Sequence, residues 1–397
     1  MYSKVGIELN SSSIINKVKR KSNLKVRESN FELMRIVSMF LIILGHVIGF
    51  GYLIDNNSYG AIKEVLNVMM YILIMHVNSF IILSGFFQSN SKFRLSKLFS
   101  LILQVIMYSF IIYCISIKIG WITNYNIVSI FCKLLPSSIG SYWFISSYII
   151  VYMFSDYINK FISRLSKVEF KKLLLVLFFV LSIIPFFTGK IIIDNDGYNF
   201  YNFIFLYMIG AYLRKYPLRE SYHFKVFSTN GYRFLMIFMF ICCFSVNYLL
   251  MYYASNMLSY SNLFGEISSR ILSNKLTYSN SLIIIQSVCF FEFFRYIKIN
   301  SKVINYISSC VFGVYLFHEN AVMRNNIYSL FNMGKYYNSY KLCLYIIVCT
   351  LIIFSVGVLI ESVRKLFLKL ISNLKIVKKL VDNLKNLCLS FNLKINW

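Results

Sequence analysis

The chain has 397 residues, is 58% hydrophobic and only 14% charged, and carries a formal net charge of +26. A soluble globular protein is normally about 25% charged, and a nucleic-acid-binding protein places its lysines and arginines on an otherwise polar domain. The composition excludes both classes. Together with a mean hydropathy of +0.64, it predicts an all-α, polytopic transmembrane helix bundle embedded in a lipid bilayer.

Apolar runs suited to crossing a bilayer recur along the chain and predict about ten spans. These runs lie near 33–53, 64–87, 98–117, 141–157, 173–187, 200–213, 234–253, 279–297, 303–323 and 342–361. No Gly/Ser-rich linker separates them. We therefore expect one transmembrane domain at 29–361, preceded by a basic tail at 1–28 and followed by a basic segment at 362–397.

Basic residues fall mostly on one side of these spans. With the N-terminus inside, 32 of the 41 lysines and arginines lie in the two tails and the inward loops. Because cytoplasmic loops are enriched in basic residues, we expect a multi-pass protein of the plasma or inner membrane with both termini cytoplasmic. No cleavable apolar core precedes the first span, so that span is expected to be the targeting signal.

The segment after Glu361 repeats apolar residues at alternating steps of four and three, with lysines between them. This pattern predicts a basic amphipathic helix on the anionic inner leaflet, with a coiled-coil partner as the alternative. The nine cysteines show no paired metal-ligand spacing, so we expect packing residues and no metal site.

Ionisable side chains within hydrocarbon are costly and mark functional positions, and the first span carries two of them. Arg35 and His46 are eleven residues apart, so on a helix they differ by about 20° in direction and about 16 Å in height. One face therefore presents an anion-binding group at the membrane surface and a titratable imidazole deeper inside. A substrate with a phosphorylated end and a distant reactive end could lie along this face. The alternative is a packing role for His46 and an ordinary boundary position for Arg35.

The second span is followed by Arg94 and Lys97, one helical turn apart. This pair suits a phosphate-binding cluster, and it equally fits the placement of positive charge on the inner side.

The ninth span brings Tyr315, His318 and Glu319 to its outer half. His318 is expected at a depth comparable to that of His46, where the two could form a shared polar site. The alternative is that His318 and Glu319 pair with each other or with water near the outer interface.

Five segments in chain order carry a family resemblance. They are the Arg35-to-His46 spacing in ELMRIVSMFLIILGH, VNSFIILSGFF at 77–87, WFISSYIIVYM at 143–153, FLYMIGAYLRK at 205–215 and FGVYLFHEN at 312–320. Together they resemble the acyltransferase 3 family of integral-membrane acyltransferases over about residues 29–361.

The resemblance implies a multi-span enzyme that moves an acyl group, usually acetyl from cytoplasmic acetyl-CoA, onto a hydroxyl of a cell-envelope glycan. The essential histidine of the family corresponds to His46, and its upstream basic residue corresponds to Arg35. Its arginine pair after the second span corresponds to Arg94 and Lys97, where a lysine keeps the charge but loses the bidentate fork. Some members carry an appended extracytoplasmic domain. None is recognised in this sequence, so we expect transfer to be completed within the membrane domain.

Acyl transfer to an alcohol needs a base, a cationic anchor for the donor and a hydrogen-bond donor for the developing oxyanion. Our hypothesis is that His46 is the general base and that Arg35, Arg94 and Lys97 bind the CoA phosphates. A covalent acyl-histidine intermediate and another donor, such as succinyl-CoA, stay open.

The acceptor end is expected to be shaped by Tyr315 or His318, with a cell-surface or lipid-linked glycan as the acceptor. The rival hypothesis is a non-enzymatic exporter of a glycan or lipid that uses the same intramembrane residues to line a pathway.

Overall fold

Helices make up the regular structure of this protein. The computed structural model describes residues 27–51, 53–54, 60–123, 126, 142–188, 197–258, 263–273 and 276–372, and this part contains helices and no strand. Its α-helices, numbered α1 to α14 in chain order, are Ser29–Phe50, Gly60–Leu73, His76–Gln88, Leu95–Lys118, Trp143–Ser163, Lys167–Phe178, Ile184–Thr188, Phe200–Lys215, Thr229–Met257, Leu263–Ser273, Ser281–Arg295, Lys302–His318, Ala321–Asn326 and Lys341–Ser372. The all-α fold predicted from the sequence is confirmed.

Within the described residues, six helical segments are long and apolar enough to cross a membrane. They are Ser29–Phe50, Gly60–Gln88, Leu95–Lys118, Lys167–Thr188, Thr229–Met257 and Lys341–Ile371. The remaining predicted spans fall on α5, α8, α11 and α12, of which α8, α11 and α12 have 16, 15 and 17 residues. These three are shorter than the roughly 20 residues that cross the hydrocarbon core. The ten-span count and the cytoplasmic termini stay predictions, and the predicted C-terminal amphipathic segment lies beyond the described residues.

The crossing of α3 and α8 brings two backbones into direct contact at glycines. A side chain at Gly85 would collide with the carbonyl oxygen of Tyr207, and one at Gly210 would collide with the carbonyl oxygen of Ile82. Small residues allow this approach in membrane helices. Positions 85 and 210 therefore have no room for a side chain larger than that of glycine.

A break separates α2 from α3 within a single apolar segment, Gly60–Gln88. The carbonyl of Met75, in the break, accepts hydrogen bonds from the hydroxyls of Ser79 at 2.9 Å and Ser287 at 3.2 Å. Nδ1 of His76 bonds the carbonyl of Leu73. Free backbone groups at membrane depth are tolerated only when protein groups satisfy them, and these contacts supply the partners.

The start of α1 forms hydrogen bonds with the end of α11 and with α12. The amide of Asn30 donates to the carbonyls of Phe294 and Arg295 at 3.1 and 3.0 Å, and the carboxylate of Glu32 accepts from the hydroxyl of Ser308. These contacts align α1 with α12, so the far ends of the two helices also lie side by side.

A buried carboxylate joins α14 to α4. Glu361 accepts hydrogen bonds from the hydroxyl of Tyr108 at 2.8 Å and from the guanidinium of Arg364 at 2.7 and 2.6 Å. A side chain at Gly313 would collide with this carboxylate, so the glycine makes room for it. The cluster fixes α4, whose N-terminal end carries Arg94 and Lys97.

Candidate active site

Two charged side chains from the end of α12 and from α13 support the histidine of α1. Nδ1 of His46 lies 3.1 Å from Oε2 of Glu319, and Oε1 of Glu319 lies 3.0 Å from Nη1 of Arg324. The Glu319 side chain is only 3% exposed, whereas that of His46 is 23% exposed. The carboxylate is therefore buried and paired, and the imidazole keeps an open side.

The chain turns at this point because of a helix cap. Asn320 precedes α13, and its side-chain oxygen accepts from the N–H of Val322 at 3.1 Å while its amide donates to the Tyr142 hydroxyl at 3.0 Å. Ending α12 at His318 and restarting the helix at Ala321 turns the carboxylate of Glu319 toward α1.

His318 faces His46 across the two helices, with ring centroids 5.4 Å apart. Nδ1 of His318 lies 2.8 Å from the carbonyl of Val314. A carbonyl only accepts, so Nδ1 carries the proton and Nε2 carries the lone pair of the neutral ring. This Nε2 is buried and has no hydrogen-bond partner among the described residues. The structure thus leaves this buried nitrogen unsatisfied, and His318 is not among the cavity walls.

A cavity of about 260 Å³ connects the histidine end of α1 with its arginine end. Its walls include Arg35, His46, Trp143, Tyr148, Tyr315 and Glu319. Hydrocarbon side chains such as Met39 and Phe312 supply much of the remaining lining. The Arg35-to-His46 face thus borders one continuous space.

At the other end of the cavity, Arg35 pairs with Glu32 at 2.7 Å, and its guanidinium lies 5.6 Å from the ring centroid of Phe87. The guanidinium is held in place on one side and still borders the cavity.

Arg94 and Lys97 lie outside the cavity walls, at the exposed start of α4. The hydroxyl of Tyr152 accepts from the N–H of Arg94 and donates to its carbonyl, both at 3.2 Å. The ammonium of Lys97 lies 5.1 Å from the ring centroid of Tyr152. Arg35 borders the cavity, and Arg94 and Lys97 lie at the start of α4 beside Tyr152; we refer to these three cations as the rim.

Tyr315 borders the cavity on the α12 side. Its ring stands perpendicular to His318 with centroids 6.1 Å apart. Its buried hydroxyl has no hydrogen-bond partner in the described part of the chain. The group is therefore free to donate to a ligand.

His46, His318 and Glu319 each offer one metal-ligand atom, and these atoms all lie within 4.8 Å of one another. A cation here would compete with Arg324, which already pairs with the carboxylate. The arrangement resembles a histidine with a supporting carboxylate more closely than a set of free ligands.

A protein-family model described as an acyltransferase domain matches residues 28–362. The chain belongs to the acyltransferase 3 family. The match confirms the resemblance read from the sequence segments and covers nearly the same residues. Comparison with curated proteins and with solved structures gave no match. As a member of the acyltransferase 3 family with membrane-spanning helices, the protein is a membrane acyltransferase.

Three of the six residues that the sequence singled out for this acyltransferase line one cavity, namely Arg35, His46 and Tyr315. The His318 ring contacts those of His46 and Tyr315 without lining the cavity. Arg94 and Lys97 lie at the rim instead. The chemical roles of all six stay predictions.

Several other residues at or beside the cavity were not predicted from the sequence. Glu319 was noted without a role, and Arg324 was not noted. Trp143 and Tyr148 line the cavity, and Trp143 stacks on Tyr278 with centroids 5.6 Å apart. The only available signal was an Arg five positions after a Glu near a helix end, which is common in proteins without any site.

Proposed function

We propose that this acyltransferase moves an acetyl group from cytoplasmic acetyl-CoA to a hydroxyl of a cell-surface or lipid-linked glycan. The observation that carries the proposal is the single cavity that Arg35 and His46 both line. A long donor with phosphates at one end and a thioester at the other matches a space with a cation at one end and an imidazole at the other.

His46 acts as the general base in this proposal. The carboxylate of Glu319 beside Nδ1 favours the proton on that nitrogen, so Nε2 carries the lone pair. Nε2 removes the proton of the acceptor hydroxyl as its oxygen bonds to the thioester carbon. The carbon–sulfur bond then breaks, and the departing thiolate takes the proton back from Nε2. No redox step or metal is required.

Tyr315 and His318 serve the acceptor end. The unpartnered hydroxyl of Tyr315 donates to the oxyanion that forms on the thioester carbonyl, which is the kind of contact that lowers such barriers most. His318, whose ring lies 5.4 Å from that of His46, helps to shape the acceptor end from behind the cavity wall.

Arg35, Arg94 and Lys97 bind the phosphates of CoA at the rim. The support for this assignment is the position of the three cations, which lie where the donor would enter from the cytoplasm. This assignment requires the basic side of the bundle to be cytoplasmic in the cell membrane, in agreement with the distribution of lysines and arginines.

Family membership favours an enzyme over the rival exporter of a glycan or lipid.

The test is transfer of label from radioactive acetyl-CoA to surface glycan in washed membranes. His46→Gln is expected to lower transfer at least about hundred-fold, the usual contribution of a general base. His223→Gln is the matched control, because His223 is exposed on the loop between α8 and α9 and should retain full activity. Full activity of the His46 variant at normal membrane abundance would refute the mechanism. Absence of acetyl from wild-type glycans by mass spectrometry would refute the substrate class.

A further inference from the structure

A second cavity lies on the side of the bundle, away from the histidines. It measures about 230 Å³ and opens between α6, α8 and α11. Apart from Lys171 and Tyr212, its walls are hydrocarbon side chains, among them Leu174, Phe178 and Ile209. Neither the family assignment nor the acyl-transfer proposal uses this groove.

The groove lies beside the tightest contact between α6 and α8, which is at the start of α6. Phe170 is fully buried there against Met208 and Ala211. Beyond it, the side chains of α6 are half-buried or exposed, and a π-helical turn at Phe179–Ile183 follows. The helix therefore leaves a slot along its inner face.

The slot lies on a candidate membrane-spanning segment, where lipid is the expected solvent. Segment Lys167–Thr188 is long and apolar enough to cross a membrane, and only 22% of its most apolar window is buried inside the protein. From Lys171 to Phe178 the slot extends about 10 Å along the helix, which is most of one leaflet of a hydrocarbon core of about 30 Å. A hydrocarbon slot of this depth favours an acyl chain over water.

The polar end of the groove is positive. Lys171 is exposed and takes part in none of the ion pairs of the described residues. The Tyr212 ring packs on Phe170 at 5.3 Å between centroids, which places its hydroxyl at the same end. The nearby carboxylate of Glu169 is engaged by the N–H of Ser166 at 2.8 Å. The exposed ammonium of Lys171 thus lies beside this end of the hydrocarbon-lined groove, where it can meet an anion.

We propose that this groove is a binding site for one acidic glycerophospholipid of the surrounding leaflet. One acyl chain lies against Leu174, Phe178 and Ile209, and the phosphate binds Lys171 and Tyr212. The net negative headgroup matches the basic end of the bundle, which a zwitterionic headgroup does not.

The experiment uses the full chain, purified and reconstituted in nanodiscs containing equal amounts of phosphatidylglycerol and phosphatidylcholine. Native mass spectrometry then counts retained lipids. The wild type is expected to retain one phosphatidylglycerol. Lys171→Gln should weaken its retention about five-fold, the effect of one lysine at a membrane surface. Ile209→Trp should abolish retention by filling the groove.

Lys172→Gln is the matched control, because Lys172 is the next residue on α6 but does not line the groove. It should retain the lipid like the wild type. Equal loss in the Lys171 and Lys172 variants, equal retention of both phospholipids, or unchanged retention in a folded Ile209→Trp variant would overturn the proposal. Recovery of a polyprenyl phosphate from this site in place of a phospholipid would also overturn it.

Discussion

At the scale of single residues, Glu319 connects α1, near the start of the chain, to α13, near its end. Its two oxygens lie 3.1 Å from Nδ1 of His46 and 3.0 Å from Nη1 of Arg324. The contact with His46 is a close approach without hydrogen-bond geometry. In the proposed mechanism Glu319 is therefore the group placed to orient the histidine.

Replacing Glu319 by glutamine should keep the side-chain shape and remove the charge that orients His46. We expect kcat to fall about ten- to hundred-fold, the usual cost of losing an orienting group, while KM for acetyl-CoA stays within about two-fold. Steady-state kinetics in membranes measures both constants.

Glu266→Gln is the control for this prediction, since Glu266 forms an exposed ion pair with Arg270 far from the cavity walls. A rise in KM without a fall in kcat would assign Glu319 to donor binding instead of histidine positioning.

The sequence predicted that Arg35 and His46 share a helix face, and it did not predict the contact between His46 and Glu319. Arg35 and His46 share a helix, so helical periodicity alone places them on one face. The contact between His46 and Glu319 depends on where α12 stops and how Asn320 turns the chain. Those details follow from tertiary packing, which residue spacing does not encode.

At the scale of elements, the close crossing of α3 and α8 connects the cavity helices to the rest of the bundle. The sequence indicated the glycine in each segment. It did not indicate that the two segments meet, because a small residue permits close approach to any neighbour.

Gly210→Ala should force α3 and α8 apart, since its methyl group would meet the carbonyl oxygen of Ile82. We expect a loss of about 1–3 kcal/mol in the free energy of unfolding, as for other overpacked contacts. Thermal unfolding of the detergent-solubilised protein measures it.

Gly49→Ala is the matched control, because nothing lies within 4 Å of a Cβ at Gly49. This variant should be as stable as the wild type or slightly more stable, owing to the better helix propensity of alanine. Equal stability of both alanine variants would mean that α3 and α8 are far enough apart at position 210 to accept a methyl group.

For the whole molecule, the distribution of charge predicts the orientation of the bundle. Tyr222, on the loop after α8, lies at the basic end, and Lys335, between α12 and α14, lies at the opposite end; both are exposed. The positive-inside tendency places the basic end in the cytoplasm.

A membrane-impermeant maleimide applied to intact cells should therefore label Lys335→Cys and not Tyr222→Cys. Permeabilised cells should show labelling of both. The parent chain, with its native cysteines, sets the background. Labelling of the Tyr222 variant in intact cells would reverse the orientation and remove the cytoplasmic donor from the proposed function.

The site joins α1, near the beginning of the chain, to α12 and α13, near its end. During synthesis α1 enters the membrane early, whereas its partners emerge only after most of the other helices. Until then His46 has no carboxylate beside it, and Asn30 lacks the carbonyls of Phe294 and Arg295. If the proposed mechanism holds, a nascent or truncated chain that lacks α12 and α13 is expected to insert without transferring acyl groups.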